Sequence, residues 1–401
     1  MHESFDANIL ADPDARREGT VARLGIIGGG QLARMTAMSA LKLGCDVVIL
    51  ERNPVSPAAT LATHSLVGDW DDVQVLRDFA SQVDMITLEN EFVEATTLRA
   101  IEQSGYAVRP GARTVALVQD KWVQKNTLEN AGVPVVPFER VVTVDDLHAA
   151  VRRFGFPAVL KARRDAYDGR GNITIRSPGE VEPAWRALNG GGQRALYVEA
   201  WCDFAMELAT IITRSQNGAT ATYPVVETVQ RDHICHLVRA PAAVTVEVEQ
   251  QVVSLACAAA EAVNFVGSMG VECFLTSDGR VLVNELAPRV HNSGHYTIEA
   301  CETSQFENHV RAVLGFPLGS PRMVAPAAVM VNLLGTRRAL ARPVGLEDAL
   351  AVPGAHIHLY GKLMAGPGRK LGHVTALGAS VAAAEVAATR AAAAITFGDA
   401  P

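Results

Sequence analysis

The sequence predicts a multidomain protein that combines α/β and α+β architecture. At 401 residues the chain is too long for one ordinary hydrophobic core, so two or three domains are expected. Residues 22–51 have the pattern of strand, glycine turn, helix and strand, which is typical of a parallel βαβ unit. Residues 269–287 contain two short apolar runs around Asp278 and Gly279, a strong signal for an antiparallel hairpin.

The composition is that of an ordinary globular protein, with 49% hydrophobic and 20% charged residues. A formal charge of −7 argues against nucleic acid or an anionic membrane as the main partner. No apolar run approaches the roughly 18–20 residues of a membrane span. Residues 1–20 are polar and acidic, unlike a signal peptide, and are predicted to be a disordered extension. The six scattered cysteines fit reduced thiols in a cytoplasmic protein.

The glycine turn at 28–30 joins a predicted strand over 24–27 to a helix over 31–43. Glycines permit close backbone approach, and the helix N-terminus that follows can hold a phosphate. Gly28, Gly30 and Ala33, with an acid at Glu51, also mimic a dinucleotide-binding fingerprint, which is a weak motif alone. A different phosphate ligand and a purely structural turn remain as alternatives.

A second buried strand over 85–88 leads into Glu89, Asn90 and Glu91. Acids at the carboxyl end of a parallel strand lie where open α/β sheets bind ligands. The alternative is that they cap the next helix. A domain boundary is predicted near 109–111, followed by helices over 119–132 and 143–154.

The segment 156–175 has the pattern of strand, glycine-rich loop and strand. Lys161 closes an otherwise apolar strand, which is unusual because a buried lysine needs a partner. The loop 167–172 can close over phosphates with its backbone N–H groups and its arginine, although it is not a Walker A loop. An idle glycine hairpin is the alternative. Further strands are predicted over 196–199 and from Glu207 to 213, and a helix over 246–264.

The hairpin at 269–287 is the most informative stretch. If Asp278 and Gly279 form a two-residue loop, Glu272 lies opposite Glu285 on the same face. Two opposed carboxylates destabilise a sheet, so a divalent cation held by oxygen ligands is expected to offset them. The alternative is a solvated strand face. The loop after the hairpin carries Arg289, His291, Asn292 and His295, and no glutamate that would complete an H-E-x-x-H zinc motif.

The remainder of the chain is predicted as a helix over 297–314, a linker over 317–326, a strand over 327–335, a short helix over 346–350, a strand over 356–362, a basic turn over 367–373 into a strand, and a terminal helix over 379–396.

These residues in this order resemble the ATP-grasp fold. The resemblance rests on Lys121, Lys161, the loop 167–172, Glu199, Glu207, Glu272, Asn284 and Glu285. Within that fold, 269–274, 284–295 and 367–373 are similar to the N5-carboxyaminoimidazole ribonucleotide synthetases of purine biosynthesis, and the similarity spans 22–378. Three positions depart from the family pattern: Ala166 replaces a usual glycine, Lys121 stands where some members have arginine, and Gln230 where some have histidine.

The resemblance implies an N-terminal Rossmann-like preATP-grasp domain (21–116), an ATP-grasp domain (117–318) and a small β-rich C-terminal domain (326–398), after the extension 1–20. It also implies four sets of site residues: metal ligands, catalytic residues, ATP contacts and ribonucleotide contacts. Mg²⁺, with Mn²⁺ as an alternative, would be held by Glu272 and Glu285, and the catalytic residues would be Arg289, His291 and Asp168. ATP would contact Lys121, Lys161, Ala166, Tyr167, Asp168, Gly169, Arg170, Gly171, Asn172, Glu199, Ala200, Trp201, Cys202, Glu207, Gln230, Asn284 and Glu285. The ribonucleotide would contact Gln31, Glu89, Tyr167, Arg289, His291, Asn292, Lys362, Arg369 and Lys370.

The family activity implied is the phosphorylation of bicarbonate by ATP, followed by carboxylation of the exocyclic amine of 5-aminoimidazole ribonucleotide. A cytoplasmic homodimer with no nucleic-acid or membrane partner is expected. Another ATP-grasp ligase would differ at 289–295, and a nicotinamide or flavin oxidoreductase would use 28–33 but leave the hairpin without a role. A catalytically inactive nucleotide-binding regulator is disfavoured, because both carboxylates and both lysines are present.

Overall fold

The computed structural model describes residues 19–164, 171–189, 192 and 194–398. The predicted extension 1–20 therefore lies almost entirely outside the described residues. None of the described helices is long and apolar enough to cross a membrane.

The N-terminal part is a four-stranded parallel sheet of order β3-β2-β1-β4, which confirms the predicted βαβ unit. Strands β1 and β4 are apolar and almost entirely buried, as expected for a parallel sheet covered on both faces, whereas β3 is largely exposed. Ile27 and Ile86 pack against two helices on one face, and Leu24 and Ile26 pack on the other. The elements are β1 (Arg23–Ile27), α1 (Gln31–Lys42), β2 (Asp46–Glu51), β3 (His64–Val67), α2 (Val73–Ala80), β4 (Met85–Leu88), α3 (Ala95–Gln103) and α4 (Ala112–Gln119).

A second sheet is small and antiparallel, with the order β5-β8-β6-β7. Thr143 begins one of its covering helices with a capping box, in which its side chain and that of Asp146 bond each other's backbone N–H groups. Leu147 and Val151 of that helix pack on Leu160 and Val198 of the sheet. The elements are α5 (Lys121–Asn130), β5 (Phe138–Val141), α6 (Val144–Phe154), β6 (Ala158–Ala162), β7 (Asn172–Ile175), a 3-10 turn (Pro178–Glu180), α7 (Val181–Asn189) and β8 (Leu196–Ala200).

A nine-stranded antiparallel sheet forms the centre of the molecule. Its path is β14-β13-β9-β11-β12-β15-β20-β18, with β10 paired to β9. The helix over the hairpin end buries small and β-branched side chains, such as Val252 and Ala256, against Met269 and Val271. The elements up to the hairpin are β9 (Phe204–Arg214), β10 (Thr220–Thr222), β11 (Val226–Arg231), β12 (Ile234–Ala240), α8 (Val246–Ala262), β13 (Gly267–Thr276) and β14 (Val281–Ala287).

The C-terminal part continues this sheet without a break. β12 pairs with β15 from Leu237↔Val331 to Ala240↔Ala328. The sheet therefore crosses the predicted boundary at 318–326, and that division stays a prediction. The remaining elements are a 3-10 turn (Asn292–Gly294), α9 (Thr297–Ala300), α10 (Gln305–Leu314), β15 (Ala327–Leu334), β16 (Ala339–Leu340), β17 (Pro343–Val344), α11 (Leu346–Leu350), β18 (Ala355–Leu359), β19 (Met364–Ala365), β20 (Lys370–Gly378), α12 (Val381–Ala394) and β21 (Thr396–Phe397).

The single helix predicted over 297–314 is wrong, because the chain forms two helices there. Cys301 is extended and pairs with Met323, which interrupts the helix. Ser304 then starts the second helix by accepting a hydrogen bond from the backbone N–H of Glu307. The predicted start of β9 at Glu207 is also wrong, since the strand begins three residues earlier at Phe204.

Candidate active site

The β13–β14 hairpin places Glu272 opposite Glu285, as predicted, but by a different route. The loop has three residues, because the backbone N–H of Thr276 donates to the carbonyl of Arg280 and Gly279 adopts a positive φ of 84°. The predicted two-residue loop is therefore wrong. A bulge between Glu272 and Cys273 shifts the register by one residue. The two departures cancel, so the glutamates still pair.

The paired glutamates lie in an electrostatically unfavourable position. Burial, followed by the charges of Glu285 and Glu207, raises the pKa of Glu272 to about 7. Lys121 Nζ is 2.6 Å from Glu285 Oε1 and offsets one carboxylate. No group of three or more His, Cys, Asp or Glu forms a complete metal site among the described residues. Two carboxylates with substrate oxygens are a usual Mg²⁺ environment, so this pair fits the expected metal.

Lys161, a predicted phosphate contact, forms an ion pair with Glu199, a predicted adenine contact. Its Nζ is 2.5 Å from Glu199 Oε2, so the buried partner that the sequence required is an acid on the neighbouring strand β8. Lys125 approaches the other oxygen, Oε1, at 2.8 Å. Burial opposes ionisation of Glu199, but the charges of Lys125 and Lys161 lower its pKa to about 2. Glu199 is therefore an anion with two cations around it.

The start of helix α5 is fixed by Asp120. Its side chain accepts hydrogen bonds from the backbone N–H groups of Trp122 and Val123. Arg163, just after β6, donates to both oxygens of the same carboxylate at 3.0 and 2.6 Å. This contact joins the strand that ends near Lys161 to the helix that begins at Lys121.

The other predicted nucleotide residues lie on adjoining strands. Ala200 ends β8, Trp201 is 48% exposed, and Cys202 follows it. Burial raises the pKa of Glu207, and a hydrogen bond from Gln230 partly offsets this by lowering it. Asn284 precedes Glu285 on β14, and Gly171 and Asn172 lead into β7. The predicted contacts Ala166, Tyr167, Asp168, Gly169 and Arg170 lie outside the described residues.

Arg289 binds a side chain from the N-terminal sheet. Its Nε lies 2.6 Å from Glu91 Oε2 and its Nη2 lies 3.2 Å from Glu91 Oε1, so the guanidinium fork grips the carboxylate. Burial opposes the charge on Glu91, but Arg289 and Lys121 hold its pKa below the ordinary value. This pair connects the carboxyl end of β4 to the loop after β14.

His291 faces the carboxylate pair. Burial and the charges of Arg289 and Lys370 lower its pKa to about 3, so the imidazole is neutral at pH 7. The backbone N–H of Ser293 donates to its Nδ1 at 3.4 Å, and Ser293 Oγ lies 2.9 Å from the same atom; with Nδ1 as the acceptor, the proton is on Nε2. That Nε2 is 3.5 Å from Glu272 Oε1. Arg289 and His291 therefore have different protein partners, Glu91 and Glu272.

Two of the predicted ribonucleotide contacts, Asn292 and Lys370, lie beside His291. Asn292 exchanges two hydrogen bonds with Asn332 of β15, at 3.0 and 2.7 Å. Lys370 is close enough to lower the pKa of His291. Lys362 lies over the Tyr360 ring, 5.9 Å from its centroid, and Arg369 donates to the carbonyl of Met364.

Two glutamate carboxylates lie against the glycine turn at 28–30 and the helix start that follows it. The backbone N–H of Gly29 donates to Glu51 Oε2 at 2.7 Å, and that of Leu32 to Glu89 Oε1 at 3.3 Å. A Cβ on Gly30 would lie 2.1 Å from Glu89 Oε1, so any other residue there would displace that carboxylate. Two carboxylates at the helix N-terminus disfavour a dinucleotide pyrophosphate. Gln31 is the first residue of α1, beside these acids.

Sequence reasoning missed one contact and one residue of this network. Glu91 was noted among the acids after β4, but its partner Arg289 is far away in the sequence. Lys125 was not singled out, although it lies four residues after Lys121 on the same helix face. Its burial next to Gln124 and Leu128, which shows that this lysine needs an acid, is visible only in the structure.

Three family models match consecutive parts of the chain. They are a ribonucleotide synthetase preATP-grasp domain over 21–119, an ATP-grasp domain over 126–306 and a phosphoribosylaminoimidazole carboxylase C-terminal domain over 328–387. The predicted fold, with its preATP-grasp and C-terminal parts, is therefore confirmed.

Named relatives agree with these models. The N5-carboxyaminoimidazole ribonucleotide synthase of Synechococcus elongatus is 40% identical over 88% of this chain and 89% of its own length. The Bacillus subtilis protein of the same name is 39% identical over 88% of this chain and 91% of its own length. The chloroplastic phosphoribosylaminoimidazole carboxylase of Vigna aconitifolia is 40% identical over 90% of this chain, but the match spans only 65% of that longer protein.

Solved structures give the same result. The N5-carboxyaminoimidazole ribonucleotide synthetase from Thermotoga maritima has a TM-score of 0.85 and 38% identity, over 95% of this chain and 100% of that one. The Aspergillus clavatus N5-carboxyaminoimidazole synthase, in complex with ADP and 5-aminoimidazole ribonucleotide, has a TM-score of 0.85 and 35% identity, over 94% and 98%. This chain belongs to the N5-carboxyaminoimidazole ribonucleotide synthase family.

Proposed function

We propose that this protein is an ATP- and bicarbonate-dependent ligase that carboxylates 5-aminoimidazole ribonucleotide in de novo purine biosynthesis. The products would be N5-carboxyaminoimidazole ribonucleotide, ADP and phosphate. One observation carries the proposal: the Glu272–Glu285 pair lies between Lys121 and the Arg289–His291 loop. The names of the relatives and the ligands of the Aspergillus clavatus structure support the same substrates.

ATP would bind where the small sheet meets the hairpin. Lys161 and Lys121 supply positive charge for the phosphates, and each is at present held by a glutamate. The strand end at Glu199–Cys202 would receive the adenine, and Glu207 the ribose. Phosphoryl transfer needs positioning and charge neutralisation more than covalent assistance, which suits a site built from lysines and carboxylates.

Mg²⁺, with Mn²⁺ as an alternative, would be held by Glu272 and Glu285 and would neutralise phosphate charge. The raised pKa of Glu272 supports this placement, because a nearby cation would offset both the burial and the repulsion by Glu285 and Glu207 that raise it. The positive charge of Lys121 already neutralises Glu285, so the two carboxylates can lie close together.

Bicarbonate would accept the γ-phosphoryl group beside the hairpin, giving carboxyphosphate and ADP. Attack by the exocyclic amine on the carboxyl carbon would then release phosphate. The neutral His291 can donate from Nε2 to an anion at this point. Arg289 is held by Glu91 and would donate its remaining N–H groups to the same anion. Lys370 would meet the ribonucleotide phosphate, together with Lys362 and Arg369.

The test is ADP release with ATP and Mg²⁺, measured with both 5-aminoimidazole ribonucleotide and bicarbonate, and with each omitted. We expect full turnover only when both are present. Equal ADP release when the ribonucleotide is replaced by another amine substrate would instead indicate a different ATP-grasp ligase. The expected homodimer and cytoplasmic location stay predictions, which sedimentation and cell fractionation would test.

A further inference from the structure

Lys125 is a buried lysine that has no part in the function proposed so far. Only 3% of its side chain is exposed, and its Nζ lies 2.8 Å from Glu199 Oε1. Neither of these two atoms has a hydrogen-bond partner among the described residues, so the contact is an ion pair without hydrogen-bond geometry. Lys125 therefore acts on Glu199 through its charge.

The opposite side of Glu199 contacts Lys161. Glu199 Oε2 accepts a hydrogen bond from Lys161 Nζ at 2.5 Å, and 18% of the Lys161 side chain is exposed. The three groups differ in access to a ligand, because Lys125 and Glu199 are almost fully enclosed and Lys161 is not. Of the three groups, only Lys161 can point an N–H group towards a bound phosphate.

Charge balance shows what the enclosed lysine contributes. Two ammonium groups and one carboxylate give the trio a net charge of +1. Without Lys125, Glu199 and Lys161 would neutralise each other and leave no net charge for the nucleotide. A phosphate could then recruit Lys161 only by weakening the sole ion pair of a buried carboxylate, which is costly.

We propose that Lys125 is a positioning residue for the nucleotide site: it holds the Glu199 carboxylate and so leaves the Lys161 ammonium available to the ATP phosphates. The inference rests on the proposed function only in that Lys161 contacts ATP. It adds a residue that touches neither ATP nor the carboxylated substrate.

The experiment measures Mg²⁺–ATP affinity by titration calorimetry, and KM for ATP and kcat by ADP release. The variants are Lys125→Met, Glu199→Gln and the double variant. We expect Lys125→Met to weaken ATP binding about tenfold, mainly as a raised KM. In the Glu199→Gln background the same change should cost less than about threefold, because the neutral amide no longer competes for Lys161. An equal loss in both backgrounds, or an unchanged affinity in Lys125→Met, would overturn the proposal.

Two further variants separate charge from packing. Lys125→Arg keeps the positive charge and should retain affinity within about threefold; an Arg variant as weak as the Met variant would refute a role through charge. Lys42→Met is the matched control, because it removes a lysine from an ion pair with Glu307 far from this network, and it should bind ATP as the wild type does. Calorimetric affinity does not involve 5-aminoimidazole ribonucleotide, so loss of the proposed carboxylation and failure of this inference give different results.

Discussion

Neutralising Glu272 should stabilise the ligand-free protein at pH 8 and leave it almost unchanged at pH 4. In the folded chain, burial and then the charges of Glu285 and Glu207 raise the pKa of Glu272 from 4.5 to about 7. A higher folded-state pKa means that the folded protein binds the proton more tightly than the unfolded chain. The ionised carboxylate therefore opposes folding, increasingly as the pH rises from 4.5 to 7 and by a constant amount above 7.

The size of the effect follows from the difference between the two pKa values. A shift of about 2.5, from 4.5 to 7, corresponds to an upper limit of about 3.4 kcal/mol. Because 30% of the Glu272 side chain is exposed, solvent screening reduces this, and we expect about 1–3 kcal/mol for Glu272→Gln at pH 8.

The assay is thermal unfolding of the wild type and Glu272→Gln in EDTA at pH 4, 6 and 8. The difference in Tm should grow with pH and favour the variant. Glu129→Gln, at an exposed position on α5, controls for the substitution itself. A variant that is less stable at pH 8, or a difference in Tm that does not change with pH, would refute the reasoning. Added Mg²⁺ and ATP should stabilise the wild type more than the variant.

Three other changes test separate contacts. Lys161→Met should lower kcat by about 10²–10³, the usual cost of losing one preorganised donor, and a near-normal steady-state rate would remove it from the phosphate site. Arg289→Lys should lower bicarbonate-dependent ADP release, because lysine cannot make the bidentate hydrogen bond to Glu91. Calorimetric ATP affinity should stay unchanged, and the opposite pattern would place Arg289 in the nucleotide site. Asn332→Ala should destabilise the protein by about 1–3 kcal/mol by leaving the amide of Asn292 without its partner, and an unchanged Tm would contradict this.

Local signals in the sequence predicted local structure well. The apolar strand before the glycine turn, the helix predicted over 143–154 and the turn at Asp278–Gly279 each correspond to an observed element. The pairing of Glu272 with Glu285 was predicted correctly from an incorrect loop length, because a bulge restored the register. A bulge of this kind depends on packing against the neighbouring strand β9, which turn chemistry alone does not report.

Long-range partners could not be predicted in the same way. Glu91 and Arg289 meet only because β4 and β14 end at the same place, and nothing near either residue specifies the other. Lys125 was missed for a related reason, since a helix that is polar in sequence gave no sign that one of its lysines is enclosed. The break at Cys301 likewise depends on a pairing with Met323, outside the helix itself.

The ladder between β12 and β15 limits how the molecule can open. Four consecutive residue pairs, Leu237↔Val331 to Ala240↔Ala328, make the C-terminal strands and the β13–β14 hairpin parts of one continuous sheet. A hinge between them would have to break backbone hydrogen bonds in the middle of a sheet. The small sheet β5-β8-β6-β7 shares no ladder with that continuous sheet beyond an isolated bridge from Val135 to Val283 among the described residues. A closing movement around a nucleotide would therefore displace the small sheet, while the hairpin carboxylates and the loop after β14 would keep their position relative to the C-terminal strands.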